Sequence, residues 1–127
     1  MFTPIVSTGL IINNIKTIIK SIDIIETNSE LNFVIKPSKI HGVGIFCNDF
    51  IPESSFLFYL ILKPSCIITK LGSKINHSYF DNNTDIIEDS DGWFIRSTKN
   101  IPIGTEIVCN YDNTPFFIVK AYEKNYL

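Results

Sequence analysis

Isoleucines at positions 11, 15, 18, 22 and 25 recur at spacings of four and three, with Ile12 and Ile19 beside them. Asn14, Lys16, Lys20, Ser21 and Asp23 fill much of the other side. One apolar stripe at that period predicts an amphipathic helix, with Ser7 or Thr8 as its N-cap. The many β-branched side chains work against it, since each loses χ1 freedom in a helix. Packing on its own domain and dimerisation are both roles open to such a helix. Thr27, Asn28 and Ser29 read as a connector. From Leu31 the rhythm shortens. Asn32 to Lys36 is an apolar run stopped by Pro37, Val43 to Cys47 ends at Asn48 and Asp49, and Phe56 to Leu62 is closed by Pro64. Trp93 to Arg96 and Glu106 to Tyr111 read as further strands, the first opened by Asp91-Gly92 and the two separated by Pro102-Ile103-Gly104. Short strands at this spacing predict a mostly β (α+β) fold. Phe50-Ile51-Pro52 and Asn100-Ile101-Pro102 echo one another, which reads as repeated turn chemistry.

Composition narrows the picture. A chain of 127 residues, 45% hydrophobic, suffices for one domain with one core. A net charge of -2 lacks the basic footprint of a protein that grips nucleic-acid phosphates. No apolar run nears the ~20 residues of a membrane span, so no membrane partner is expected. Ile5 to Ile19 is interrupted by Asn13, Asn14 and Lys16 and lacks a basic n-region and a cleavage site, unlike a secretory signal. Cys47, Cys66 and Cys109 stand singly, which argues against a zinc cluster or a disulfide framework and for a reducing, intracellular location.

Three segments carry candidate chemistry. In Ser38-Lys39-Ile40-His41-Gly42-Val43-Gly44-Ile45-Phe46, two glycines one residue apart let backbone approach a ligand closely. Gly72-Ser73-Lys74-Ile75-Asn76-His77-Ser78, followed by Asn82, would bring an amide and an imidazole to a cleft. The third segment, Ile101 to Tyr111, ends a strand in a tyrosine. Taken singly, each is also explained by a turn or by core packing.

In this order the three resemble the SET domain of protein-lysine methyltransferases. Its signatures are a GxG, an NHS with a nearby asparagine, and a GxE(L/I)xxxY strand. Here they are Gly42-Val43-Gly44, Asn76-His77-Ser78 with Asn82, and Gly104-Thr105-Glu106-Ile107 running to Tyr111. Asp91 to Arg96 resembles the strand before the final motif. The likeness spans roughly Leu31 to Phe117 and is nearest to the very short viral and bacterial members. It implies a β-clip fold with a pseudoknot. The divisions would be an N-terminal helical extension (1–30), the SET domain (31–113) and a short tail without zinc cysteines (114–127). It also implies S-adenosyl-L-methionine as cofactor, no metal, and a protein lysine as substrate, a histone tail being one candidate. The cytoplasm or a host nucleus would be the setting.

The resemblance also assigns roles. His41, Gly42, Gly44, Asn76 and His77 would face the cofactor. Tyr111 would be the catalytic residue where cofactor pocket and lysine channel meet, and Phe116 (or Phe117) the aromatic lid. Tyr59, Tyr79 and Cys109 would border the substrate channel, with core packing as the alternative for Tyr59. Departures are visible. Only Lys63 to Leu71 stands where the family carries a long insert, so the groove is shallow or completed by another chain, as in a homodimer. The small Cys109 stands where Phe or Tyr is frequent, leaving room for multiple methylation. Tyr79 and Asp81 replace the family's usual cysteine and proline. A derived module that binds cofactor or peptide without turnover is the rival reading.

Methyl transfer to an amine needs the neutral base, which at pH 7 costs about 4.6 kcal/mol for a lysine of pKa ~10.4. An apolar channel beside a sulfonium lowers that pKa by desolvation and like-charge repulsion. Orientation supplies ~7–11 kcal/mol more. No metal or strong base is required. Asp81, Asp85, Glu88, Asp89 and Asp91 gather near one turn, either as a landing surface for a basic tail or as a solvated hairpin tip.

Overall fold

A computed structural model describes residues 9–10 and 31–120; the expected N-terminal helix lies outside them. The strands in chain order are β1 (Phe33–Pro37), β2 (Val43–Cys47), β3 (Phe56–Leu62), β4 (Ile67–Ile68), β5 (Asn76–His77), β6 (Thr84–Glu88), β7 (Gly92–Ser97) and β8 (Glu106–Cys109). One 3-10 turn, Tyr111–Asn113, follows. The protein is mostly β. The β2 and β3 runs fold as their apolar stretches between turn residues predict. The last strand stops two residues early, because Asn110 caps the 3-10 turn by accepting from the Asp112 N–H.

Two four-stranded sheets form, ordered β1-β2-β8-β5 and β4-β3-β7-β6. All neighbours are antiparallel except β5 and β8, which run parallel with Asn76 opposite Val108 and His77 opposite Cys109. Ile45 and Ile107 from the first sheet meet Leu57, Phe58, Leu60, Ile61 and Ile95 from the second, all fully buried. Full burial of each such side chain contributes ~1.5–3 kcal/mol. β3 is buried along five consecutive positions, which explains why its sequence shows no polar alternation. Leu10 joins the same core and donates its N–H to the Gly72 carbonyl at 3.0 Å.

The echo between residues 50–52 and 100–102 proves deeper than a shared turn. Ile51 and Ile101 exchange backbone hydrogen bonds of 2.9 and 2.8 Å. Around them the bonds repeat at an offset of fifty residues. Gly104 N–H donates to Cys47 O as Ser54 N–H donates to Ser97 O, and Cys47 N–H donates to Thr105 O as Ser97 N–H donates to Ser55 O. Even the side chains correspond: Cys47 Sγ–H donates to Pro102 O (3.0 Å) and Ser97 Oγ–H to Pro52 O (2.7 Å). Each half therefore turns a strand of one sheet into a strand of the other.

After β5 the chain wraps β8. Ser78 N–H reaches Cys109 O, and Asn83 N–H and Thr84 Oγ–H both reach Val108 O. The Asn83 side chain accepts from Val108 N–H (2.9 Å) and donates to Glu106 O (2.9 Å). At the C-terminal end, Ile118 and Val119 are buried and Phe117 packs on Trp93 at 5.8 Å. Lys120 Nζ donates to Thr114 O, Thr114 Oγ1 and Pro115 O, fixing residues 114–120 in place.

Candidate functional site

The parallel β5–β8 pair sets Asn76 beside the loop that precedes β2. Asn76 is 1% exposed. Its amide nitrogen lies 2.8 Å from Glu106 Oε2, 3.0 Å from Val43 O, 3.1 Å from Ser38 Oγ and 3.2 Å from His41 O. The two carbonyls and the carboxylate settle which end of the amide faces them, since its oxygen would be repelled by all three. Ser38 Oγ accepts from the Ile40 N–H and from Asn76, so its own proton goes to Glu106 Oε1 at 2.8 Å. Gly42 is exposed and sits at φ +43°, a conformation that favours glycine. Gly44 is glycine for want of space: a Cβ there would strike the Glu106 carboxylate and lie 3.1 Å from the Asn76 nitrogen.

His77 and Tyr111 adjoin this cluster. The Tyr111 N–H donates to His77 Nδ1 at 2.9 Å, so the neutral ring carries its proton on Nε2. Burial lowers the His77 pKa, with Asp112 pulling weakly the other way. The Tyr111 hydroxyl donates to Ile75 O at 2.5 Å, and the residue is 2% exposed. Tyr79 stacks edge-on to His77 at 4.5 Å and donates its hydroxyl to Asp112 at 2.8 Å. Cys109 is fully buried, one residue before Asn110 and opposite His77, and burial pushes its thiol pKa up. His41, Gly42, Gly44, Asn76, His77, Tyr79, Cys109 and Tyr111 thus gather on and around β5 and β8.

Two candidates lie elsewhere. Tyr59 belongs to the β4-β3-β7-β6 sheet, packed on Phe56 (5.4 Å) and Phe94 (5.8 Å), with its hydroxyl on Asp89 Oδ2 at 2.6 Å. That is the core-packing alternative, extended by one polar contact. Phe116 is 87% exposed and touches Phe117 at 5.5 Å, so it closes over no described residue of the cluster. The acidic segment forms the β6–β7 hairpin. Asp89 Oδ1 accepts the Asp91 and Gly92 N–H groups, and Lys63 pairs with Glu88 at 2.5 Å.

Sequence reasoning assigned no role to Ser38 or Glu106, which bind Asn76, nor to Asn83, which straps β8. Glu106 was visible as the motif's glutamate, but only the fold shows what it touches. Asn82, named in the motif, instead caps its own turn through Ser78 O and Tyr79 O, both at 3.0 Å. Among the described residues no helix is long and apolar enough to cross a membrane, and no group of three or more His, Cys, Asp or Glu side chains is gathered to hold a metal. Compared with protein-family models and with curated proteins, the sequence gives no match.

Proposed function

We propose that this chain is a SET-type methyltransferase that uses S-adenosylmethionine to methylate the ε-amine of a protein lysine, with a histone tail as a candidate substrate. The reading rests on one observation: segments 38–44, 76–78 and 104–111, far apart in sequence, meet through Asn76 and Tyr111. The cluster's chemistry suits the cofactor. The Asn76 amide and the His41 and Val43 carbonyls are the polar groups that would meet the cofactor's amino-acid end. When bound, S-adenosylmethionine supplies an electrophilic methyl. His41, Gly42, Gly44, Asn76 and His77 would line its place. The Tyr111 phenol, held against Ile75 O, would form the wall between cofactor and amine, with Tyr79 and buried Cys109 beside it.

Incubation with methyl-labelled cofactor and mixed histones should yield labelled protein. Tyr111→Phe should lower that yield at least tenfold while the variant still melts cooperatively. No label on any lysine-rich substrate overturns the reading. A second reading accommodates the same contacts: a module that binds cofactor without turnover. Calorimetric binding of cofactor combined with no product would establish that alternative.

A further inference from the structure

β6 is the outer strand of its sheet and pairs with β7 alone. The hydrogen bonds at the two ends of that pair fix its alternation: Thr98 N–H donates to Asn83 O at 3.0 Å, and Asp89 N–H to Gly92 O at 2.8 Å. In an antiparallel ladder every second residue bonds across, so Asp85 and Ile87 turn their peptide groups to β7. Thr84, Ile86 and Glu88 turn theirs the other way. Thr84 is buried there, its hydroxyl on Val108 O. The N–H and C=O groups of Ile86 and Glu88 meet no donor or acceptor among the described residues. A short stretch of sheet edge is therefore open to another strand.

Open edges invite pairing and are commonly blunted by charge. Here the charge has a dominant sign. Asp85 and Glu88 are exposed and Asp89 partly so, against Arg96 opposite Asp85 and Lys63 on Glu88. Ile86 and Ile87, between the acidic side chains, are partly exposed. A second copy laid antiparallel on this edge would bring the acidic groups of both chains together, which disfavours it. A basic strand would meet opposite charge instead.

From this we infer that the β6 edge is a docking site for an extended basic segment of another protein, added as an antiparallel strand. The register defines what fits. The residues opposite Ile86 and Glu88 exchange backbone bonds with them. Those opposite Asp85 and Glu88 carry positive charge, and the two in between lie against Ile86 and Ile87 and are apolar. The recognised pattern is basic–apolar–apolar–basic. β6 belongs to the other sheet from β5 and β8, and docking needs no cofactor, so the inference goes beyond the methyltransferase reading and is tested without it.

The probe is an end-blocked, fluorescein-labelled peptide containing Lys-Val-Val-Lys, whose first lysine falls opposite Glu88 and second valine opposite Ile86. Anisotropy at low ionic strength should show it binding at least tenfold tighter than its Glu-Val-Val-Glu counterpart. N-methylation of the second valine, whose N–H faces Ile86 O, should weaken binding at least tenfold. On the first valine, whose N–H points away from β6, it should change binding less than about threefold. Asp85→Lys combined with Glu88→Lys should reverse the preference between the two peptides. Equal effects of the two N-methyl groups, an unreversed preference, or no binding to the wild type overturns the inference. Where the double variant fails to melt cooperatively, the N-methylated peptides on the wild type decide alone. A wild-type dimer in sedimentation that Ile86→Pro dissociates would seat a second copy on the edge and likewise overturns the basic partner.

Discussion

A methyl group placed on Gly44 would collide with the Glu106 carboxylate, whereas at Gly42 it is the backbone torsion of +43° that disfavours a side chain. Gly44→Ala should therefore push Glu106 off Asn76, costing about 1–3 kcal/mol in urea unfolding. Two ionisable residues set the limits in pH. His77 is held neutral below its ordinary pKa, so the unfolded chain binds more protons once the pH falls under about 6.5, and stability is lost toward acid. Tyr59 shows the opposite limit. Burial, the hydrogen bond to Asp89 and the charges of Asp89 and Asp91 raise its phenol to about 12. Between about pH 10 and 12 only the unfolded state releases that proton, and stability should fall as the pH rises through that window. Denaturant midpoints across the range should show both slopes. Tyr59→Phe should flatten the alkaline one and let the Asp89 carboxyl, held low chiefly by this hydrogen bond, rise.

At the level of the element, Ser54 and Gly104 occupy equivalent corners of the two fifty-residue frames, at φ +66° and +87°. The left-handed region costs an L-residue roughly 1–2 kcal/mol, partly offset by the extra freedom of glycine in the unfolded chain. Ser54→Gly should accordingly stabilise by about 0.5–1 kcal/mol. Gly104→Ala should destabilise by a similar amount although the space around it is open. Chemical denaturation of the two variants tests the pair, and equal signs would refute the equivalence. Legibility also divides by element. β2 and β3 were readable to the residue because Asn48-Asp49 and Pro64 punctuate unbroken apolar runs. β5 was not, since two polar residues become a strand only by lying parallel to β8, a partner some thirty residues away. β6 was hidden by its acidic residues, Asp85 and Glu88, which read as part of a turn. In the site, the grouping of Asn76, His77 and Tyr111 followed from motif order. The bonds of Ser38, Glu106 and Asn83 depend on pairings across the two sheets that no local pattern encodes.

At the scale of the whole molecule, β8 is enclosed: β2 on one side, β5 on the other, and the Asn83 strap across it. These contacts join residues distant in sequence, and folds of that kind pay loop-closure entropy before gaining the pairing. Refolding should fall in the millisecond-to-second range, followed by the fluorescence of Trp93, the single tryptophan. The same enclosure hides sulfur. Cys47 and Cys109 are buried to 1% and 0% exposure at the ends of neighbouring strands, while Cys66 is partly exposed on the β3–β4 turn. A disulfide reagent should consequently modify one thiol in a fast phase. The other two should react only as often as the sheet comes apart, so that their labelling rate counts openings of the native protein without any denaturant.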